Sequence, residues 1–192
     1  MITVEELDAM MIHGGALQRF EDPAVIYEIA SRGKTYVEIG TRWGGSAIVA
    51  GLAGCEVYCI DKWSYPTKLL HEQTKPEHVI ENWANAGLDP NKLHLYHHEH
   101  PPWPKELEGM FDIGMIDGAH SERQVREDWA AIRIRVSKYI LFHDIHKKWG
   151  PLAGSNTSAG NVFVEATTDK AWKEIELSFK SQFGILEYAP SA

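Results

Sequence analysis

The sequence has only two cysteines, Cys55 and Cys59. They stand four apart in a run that reads as a strand, where they suit small buried side chains. A redox pair is usually Cys-x-x-Cys at a helix start, and a zinc site needs more ligands. With so few thiols, a reducing cytoplasm is the expected compartment. Positive charge is also scarce: 19 Lys+Arg stand against 27 Asp+Glu, a formal net charge of −8. No basic run is longer than two residues. Nucleic-acid backbones and anionic membrane surfaces are therefore poor partners. Trp43–Cys55 is uncharged and rich in glycine, but it falls short of the roughly 20 apolar residues that cross a bilayer. The first residues, MITVEELDAMMIHGG, carry acids where a signal peptide has bases. Internal repeats and low-complexity segments are missing as well.

What is present is ordinary for a globular chain. There are 192 residues, 44% hydrophobic and 24% charged, which fits a single domain. A chain of this length buries about 70% of its unfolded surface and needs no staples. Thr3 followed by Glu6 is a capping box opening a short helix, and Asp22-Pro23 opens a second that Gly33 closes. Residues 1–33 thus read as N-terminal helices and 34–192 as the core. There the hydrophobic period changes. TYVEI (35–39), EVYCID (56–61), KLHLYHH (92–98), MFDIGMID (110–117) and KYILFHD (138–144) read as strands. Between them, residues 46–53, 77–86 and 122–135 read as helices, and 162–169 as another. KEIELSF (173–179) and FGILEYA (183–189) close the chain as a hairpin-like pair. The alternation predicts an α/β doubly wound, mostly parallel sheet with one antiparallel strand near an edge. In such sheets ligands sit outside the carboxyl ends of the strands.

Those strand ends carry the chemistry. After the first come Gly40, Thr41, Gly44, Gly45 and Ser46. This is either a tight turn or a cradle for a small anionic or nucleoside ligand at a helix start. The second ends in Asp61, which can accept both hydroxyls of a ribose or simply cap a helix. Trp63 can stack on a base or pack a lid. Glu99, past the third strand, can touch a base. The fourth ends in Asp117, with His120 close behind, and the fifth in His143 and Asp144. On neighbouring strands Asp117 and Asp144 come within several ångströms. Two carboxylates in one cleft are costly unless a cation or a proton lies between them. Hard ions such as Mg²⁺ favour oxygen ligands of this kind, and His120 can act as a general base near neutral pH. Alternatively Asp117 caps the next helix, Asp144 pairs with Lys147 or Lys148, and His143 is a core histidine. HLYHHEH (94–100) resembles a metal cluster, but alternate strand residues face opposite ways. The glycine-bearing loop 145–160 reads as a lid.

Together VEIGTRWGGS, CIDKW, IDGAHSERQVREDW and ILFHDI resemble the class I S-adenosylmethionine-dependent methyltransferases. Within that class they are similar to a small group that includes macrolide-sugar O-methyltransferases and cephalosporin-hydroxylase-like proteins. The resemblance spans about residues 34–166. It implies a Rossmann-like sheet of seven strands, the last inserted antiparallel. It implies Glu38 and Gly40 against the methionine end of S-adenosylmethionine, Asp61 on the ribose and Asp117 beside the methyl donor. In metal-dependent members, acids matching Asp117 and Asp144 hold Mg²⁺ against vicinal hydroxyls of the substrate. A histidine matching His120 then takes the proton. Those members often carry two acids in a row after the fifth strand; here the first is His143, a softer donor.

The expected activity is methyl transfer from S-adenosylmethionine to a hydroxyl of a sugar or small polyhydroxylated metabolite. Asp117 and His120 are the catalytic candidates, and Asp117, His143 and Asp144 the metal ligands. One alternative is a binding module that keeps the nucleoside pocket without catalysis. Another is a nicotinamide-dependent oxidoreductase, against which the lack of a Gly-x-Gly-x-x-Gly run argues.

Overall fold

A computed structural model describes residues 3–13, 22–63, 74–98, 102–118, 121–146, 157–176 and 183–190. Two short helices come first, α1 (Val4–Met10) and α2 (Asp22–Ala30). The capping box at α1 forms as the sequence predicts: the Thr3 hydroxyl accepts from the Glu6 amide and the Glu6 carboxylate from the Thr3 amide. Five parallel strands follow, β1 (Thr35–Ile39), β2 (Glu56–Asp61), β3 (Leu93–His97), β4 (Phe111–Ile116) and β5 (Val136–Phe142). Helices α3 (Gly45–Leu52), α4 (Pro76–Asn85) and α5 (Glu122–Ile132) lie between them, and α6 (Ser158–Ala166) follows β5. The last strands are β6 (Trp172–Glu174) and β7 (Gly184–Tyr188).

The sheet has seven strands in the order β3-β2-β1-β4-β5-β7-β6. β7 runs antiparallel to both β5 and β6. The antiparallel strand is therefore one place in from the edge, and the edge itself is β6. Chain order reverses between β1 and β4, and the crevice at that switch point is where doubly wound sheets bind ligands.

β1 explains how both faces are covered. Tyr36, Val37 and Glu38 are fully buried, and alternate residues face opposite layers. Tyr36 joins a core with Leu7, Ile26, Ile29, Ile48 and Trp83 from the helices α1 to α4. Val37 and Ile39 join a second core with Val125, Ile132, Val162 and Phe163 from α5 and α6. Cys55 and Cys59 are free and buried, as predicted.

Several boundaries differ from the periodic reading: β5 starts at Val136 rather than 138, β6 is Trp172–Glu174 rather than 173–179, and α5 and α6 are both shifted. α5 ends at Ile132, because the Arg135 carbonyl already accepts from the Phe111 amide and starts the β4–β5 pairing. α6 starts at Ser158, inside the expected loop 145–160, because the Thr157 hydroxyl caps it by accepting from the Gly160 amide. Residues 147–156 of that loop lie outside the described residues. Among the described residues no helix is long and apolar enough to cross a membrane.

Candidate active site

Backbone strain is concentrated at the carboxyl edge of the sheet. Among the described residues, Arg42, Trp63 and Asp144 are the non-glycine residues with left-handed backbone, at φ 54°, 40° and 55°. They follow β1, β2 and β5 respectively. Such strain persists where surrounding structure fixes it, and it gathers at functional sites. Gly40 turns out of β1 with φ 96°, and a Cβ there would lie 2.3 Å from the Asp117 carbonyl oxygen. The ends of β1 and β4 thus meet where only glycine fits.

Glu38 lies beneath this turn and is fully buried. Its Oε2 accepts from Ser46 Oγ at 2.6 Å and from Tyr36 Oη at 3.1 Å. Burial pushes its carboxyl from 4.5 up to about 7; the hydroxyls of Ser46, Thr41 and Tyr36 offset part of that rise, and the charge on Asp117 adds to it. Gly44 takes φ 87° and opens α3, whose first residues Gly45 and Ser46 are buried. Thr41 is buried in the same loop.

Asp61 is held from two directions. Its Oδ2 accepts from the Arg42 amide and its Oδ1 from the Trp63 amide, both at 2.7 Å. The carboxylate is half-buried, so lone pairs remain for a further donor. Trp63 is buried, its indole donating to the Arg42 carbonyl at 3.2 Å and its ring edge-on to His97. The loops after β1 and β2 are therefore tied together through both Asp61 and Trp63.

Across the switch point, Asp117, His143 and Asp144 converge. His143 Nδ1 lies 3.0 Å from Asp117 Oδ1 and 3.7 Å from Asp144 Oδ2. The three donor atoms lie within 4.8 Å of one another, and among the described residues this is the one group placed to hold a metal ion. The histidines of β3 and just after it have other partners: His94 meets Glu56, His97 the Lys62 carbonyl and His98 the Pro102 carbonyl. Glu99, His100 and His120 lie outside the described residues.

A family model for a methyltransferase domain matches residues 37–145, more than half of the chain. The chain belongs to this methyltransferase family. No curated protein sequence matches it. Solved structures share the methyltransferase's fold at low identity. The S-adenosylhomocysteine-bound methyltransferase PaMTH1 of Podospora anserina is 14% identical, with a TM-score of 0.69 over 97% of this chain and 87% of that one. The O-methyltransferase TomG of Streptomyces achromogenes, involved in tomaymycin synthesis and solved with S-adenosylmethionine, is 12% identical, with a TM-score of 0.64 over 98% and 89%. The O-methyltransferase NovP is 14% identical, with a TM-score of 0.62 over 89% and 80%.

Two residues that build this candidate site were missed from sequence. Tyr36 sits two before Glu38, and strand alternation alone puts both on one face. Asn82 is fully buried on α4: its Oδ1 accepts from the Ile12 and His13 amides, and its Nδ2 donates to the His13 and Trp43 carbonyls. It clamps the glycine loop to the segment after α1. Its signal was a polar residue in the buried stripe with His78, Val79 and Trp83.

Proposed function

We propose that this methyltransferase moves a methyl group from S-adenosylmethionine to a hydroxyl oxygen of a sugar or another small polyhydroxylated metabolite. The observation that carries the reading is Asp61. Its two oxygens are each fixed by a backbone amide beside a glycine loop that opens a helix at the switch point. A carboxylate so oriented suits the paired hydroxyls of a ribose. The loop also contains a buried donor without a hydrogen-bond partner among the described residues, the Trp43 Nε1–H. These groups fit a nucleoside ligand. The solved relatives that hold S-adenosylmethionine or S-adenosylhomocysteine, and those named O-methyltransferases, support the same choice.

In this reading S-adenosylmethionine supplies a methyl group bound to a positively charged sulfur. Gly40, Thr41, Gly44, Gly45 and Ser46 shape the loop around it. Glu38 faces its methionine end, and Asp61, backed by Trp63, holds the ribose. Glu99, outside the described residues, is assigned to the base from its place past the third strand. Asp117 stands beside the reacting methyl. Asp117, His143 and Asp144 would hold a divalent cation, whose charge would make a hydroxyl easier to deprotonate. His120 takes the proton of the attacking oxygen. Most of the acceleration comes from holding oxygen, carbon and sulfur in line in a dry pocket.

Incubating the protein with S-adenosylmethionine and a panel of sugars and polyols, with divalent ions present, tests this. Release of S-adenosylhomocysteine that depends on one acceptor is the expected result. His120→Ala should slow that release while leaving cofactor affinity within about twofold, since it acts in the proton step. A fully active His120→Ala would remove it as the base. Cofactor binding with no turnover on any hydroxyl compound would overturn the reaction assigned.

A further inference from the structure

The cluster at the ends of β4 and β5 differs from an all-oxygen cation site in one atom. β4 and β5 are in register through Ile116↔Phe142, so the next residues, Asp117 and His143, are side by side. The His143 amide donates to the Ile116 carbonyl at 3.1 Å, which fixes the backbone there. Phe183 packs against the imidazole with ring centres 4.8 Å apart. The ring is nearly buried, its side chain 11% exposed, with Nδ1 turned toward both acids. Asp144 is brought in by left-handed backbone, and its carbonyl accepts from the hydroxyl of Thr157, the cap of α6. His143 thus enters the cluster as a held donor.

Two carboxylates converging on one imidazole nitrogen favour positive charge between them. A proton on Nδ1 can serve one of them: Asp117 is at 3.0 Å, whereas Asp144 at 3.7 Å is beyond hydrogen-bond range. An ion placed between the three donors serves all of them. Metal–nitrogen and metal–oxygen bonds of about 2.0–2.2 Å separate adjacent ligands by roughly 3–3.5 Å. The observed 3.0 and 3.7 Å lie near that spacing. Magnesium demands oxygen ligands and gives up water reluctantly. Imidazole nitrogen instead suits zinc, iron, cobalt and nickel, and manganese accepts mixed sets.

We propose that Asp117, His143 and Asp144 form a mixed nitrogen–oxygen site that selects a transition-metal ion of the manganese-to-zinc kind over Mg²⁺. The proposal rests on the reading of this cleft as the acceptor side of the methyltransferase. It gives the cleft a cofactor class that an all-oxygen site would not have. The selecting atom is His143 Nδ1, and the acids supply charge.

The test is calorimetric titration of the metal-stripped protein with CoCl₂, ZnCl₂ and MgCl₂, together with the visible spectrum of the Co²⁺ form. The expected result is Co²⁺ and Zn²⁺ binding at least about tenfold tighter than Mg²⁺, following the preference of nitrogen donors. The Co²⁺ bands should be those of a site with nitrogen ligation. His143→Ala should lose about tenfold or more in Co²⁺ affinity, and His143→Asp, which restores an all-oxygen set, should narrow the Co²⁺/Mg²⁺ ratio. Equal or tighter Mg²⁺ binding would overturn the proposal, as would no ion binding, or Co²⁺ affinity unchanged in both variants. S-adenosylhomocysteine is titrated into the same samples. If it binds while no ion does, the metal site fails and the methyltransferase reading stands. If Co²⁺ binds through His143 and S-adenosylhomocysteine does not bind, the metal site stands and the cofactor reading fails.

Discussion

The two sides of the switch point handle negative charge differently. On the β1–β2 side, Glu38 and Asp61 are held by neutral groups: hydroxyls of Ser46 and Tyr36 for one, backbone amides of Arg42 and Trp63 for the other. On the β4–β5 side, Asp117 and Asp144 converge on one imidazole. On the first side both carboxyl groups are held by neutral donors, and Asp61 has lone pairs to spare for a polar ligand. The second brings two like charges close together, an arrangement that a proton or a cation among its members stabilises. In the proposed function the first half binds the nucleoside, and the second binds charge and the acceptor.

The sharpest way to break the comparison is at the seam. Gly40→Ala drives a Cβ to within 2.3 Å of the Asp117 carbonyl at a φ that L side chains avoid. It should cost about 3 kcal/mol or more, read as a lowered urea midpoint. A variant as stable as wild type would mean the two strand ends are not packed as described. Glu38 comes next. The folded protein keeps its proton up to about pH 7, whereas an unfolded carboxyl loses it near 4.5. Between those values the native state binds more protons, so stability is full below about 4.5 and falls as pH rises through 7. The loss approaches about 3 kcal/mol. Urea denaturation from about pH 5 to 8 should show this slope in wild type and a flatter one in Glu38→Gln. An unchanged slope would refute the buried, proton-holding carboxyl.

Asp61→Ala tests the other arm of the first side. Losing hydrogen bonds to an ionised acceptor should weaken S-adenosylhomocysteine binding about 100-fold, measured by titration calorimetry. Unchanged affinity would end the ribose assignment. Trp63→Phe is the smallest change. It removes the indole bond to the Arg42 carbonyl, which should cost about 1 kcal/mol and a few-fold in affinity. A loss as large as that of Asp61→Ala would show that Trp63 meets the ligand directly instead of bracing the loop.

Much of this was legible in the sequence for physical reasons. Strands such as Thr35–Ile39 are short β-branched runs between glycine turns, and Asp61, Asp117, His143 and Asp144 follow directly from where strands end. Parallel pairing then sets Asp117 beside His143, whereas the left-handed backbone that turns Asp144 into the same cluster is not announced by the sequence. Helix ends were less legible, because they depend on partners distant in sequence. Periodicity could not tell that the Arg135 carbonyl is taken by Phe111, or that the Thr157 hydroxyl starts α6 early. Asn82 was missed for the same reason: its four partners lie 39 to 70 residues away. Trp63 read as a stacking candidate, but its burial against Arg42 and His97 needs the fold. His120 and Glu99 lie outside the described residues, so the role of His120 stands on its place after Asp117 and on the resemblance, and that of Glu99 on its place past the third strand.

The most direct measurement is thermal stability with S-adenosylhomocysteine added. A ligand at 100 times its dissociation constant adds about 2.7 kcal/mol, which raises the midpoint by roughly 5–10 °C for a domain of this size. The account predicts that rise in wild type and its loss in Asp61→Ala. No rise in wild type would mean that the glycine turn and Asp61 are scaffold only, and the proposed methyl transfer would fall with them.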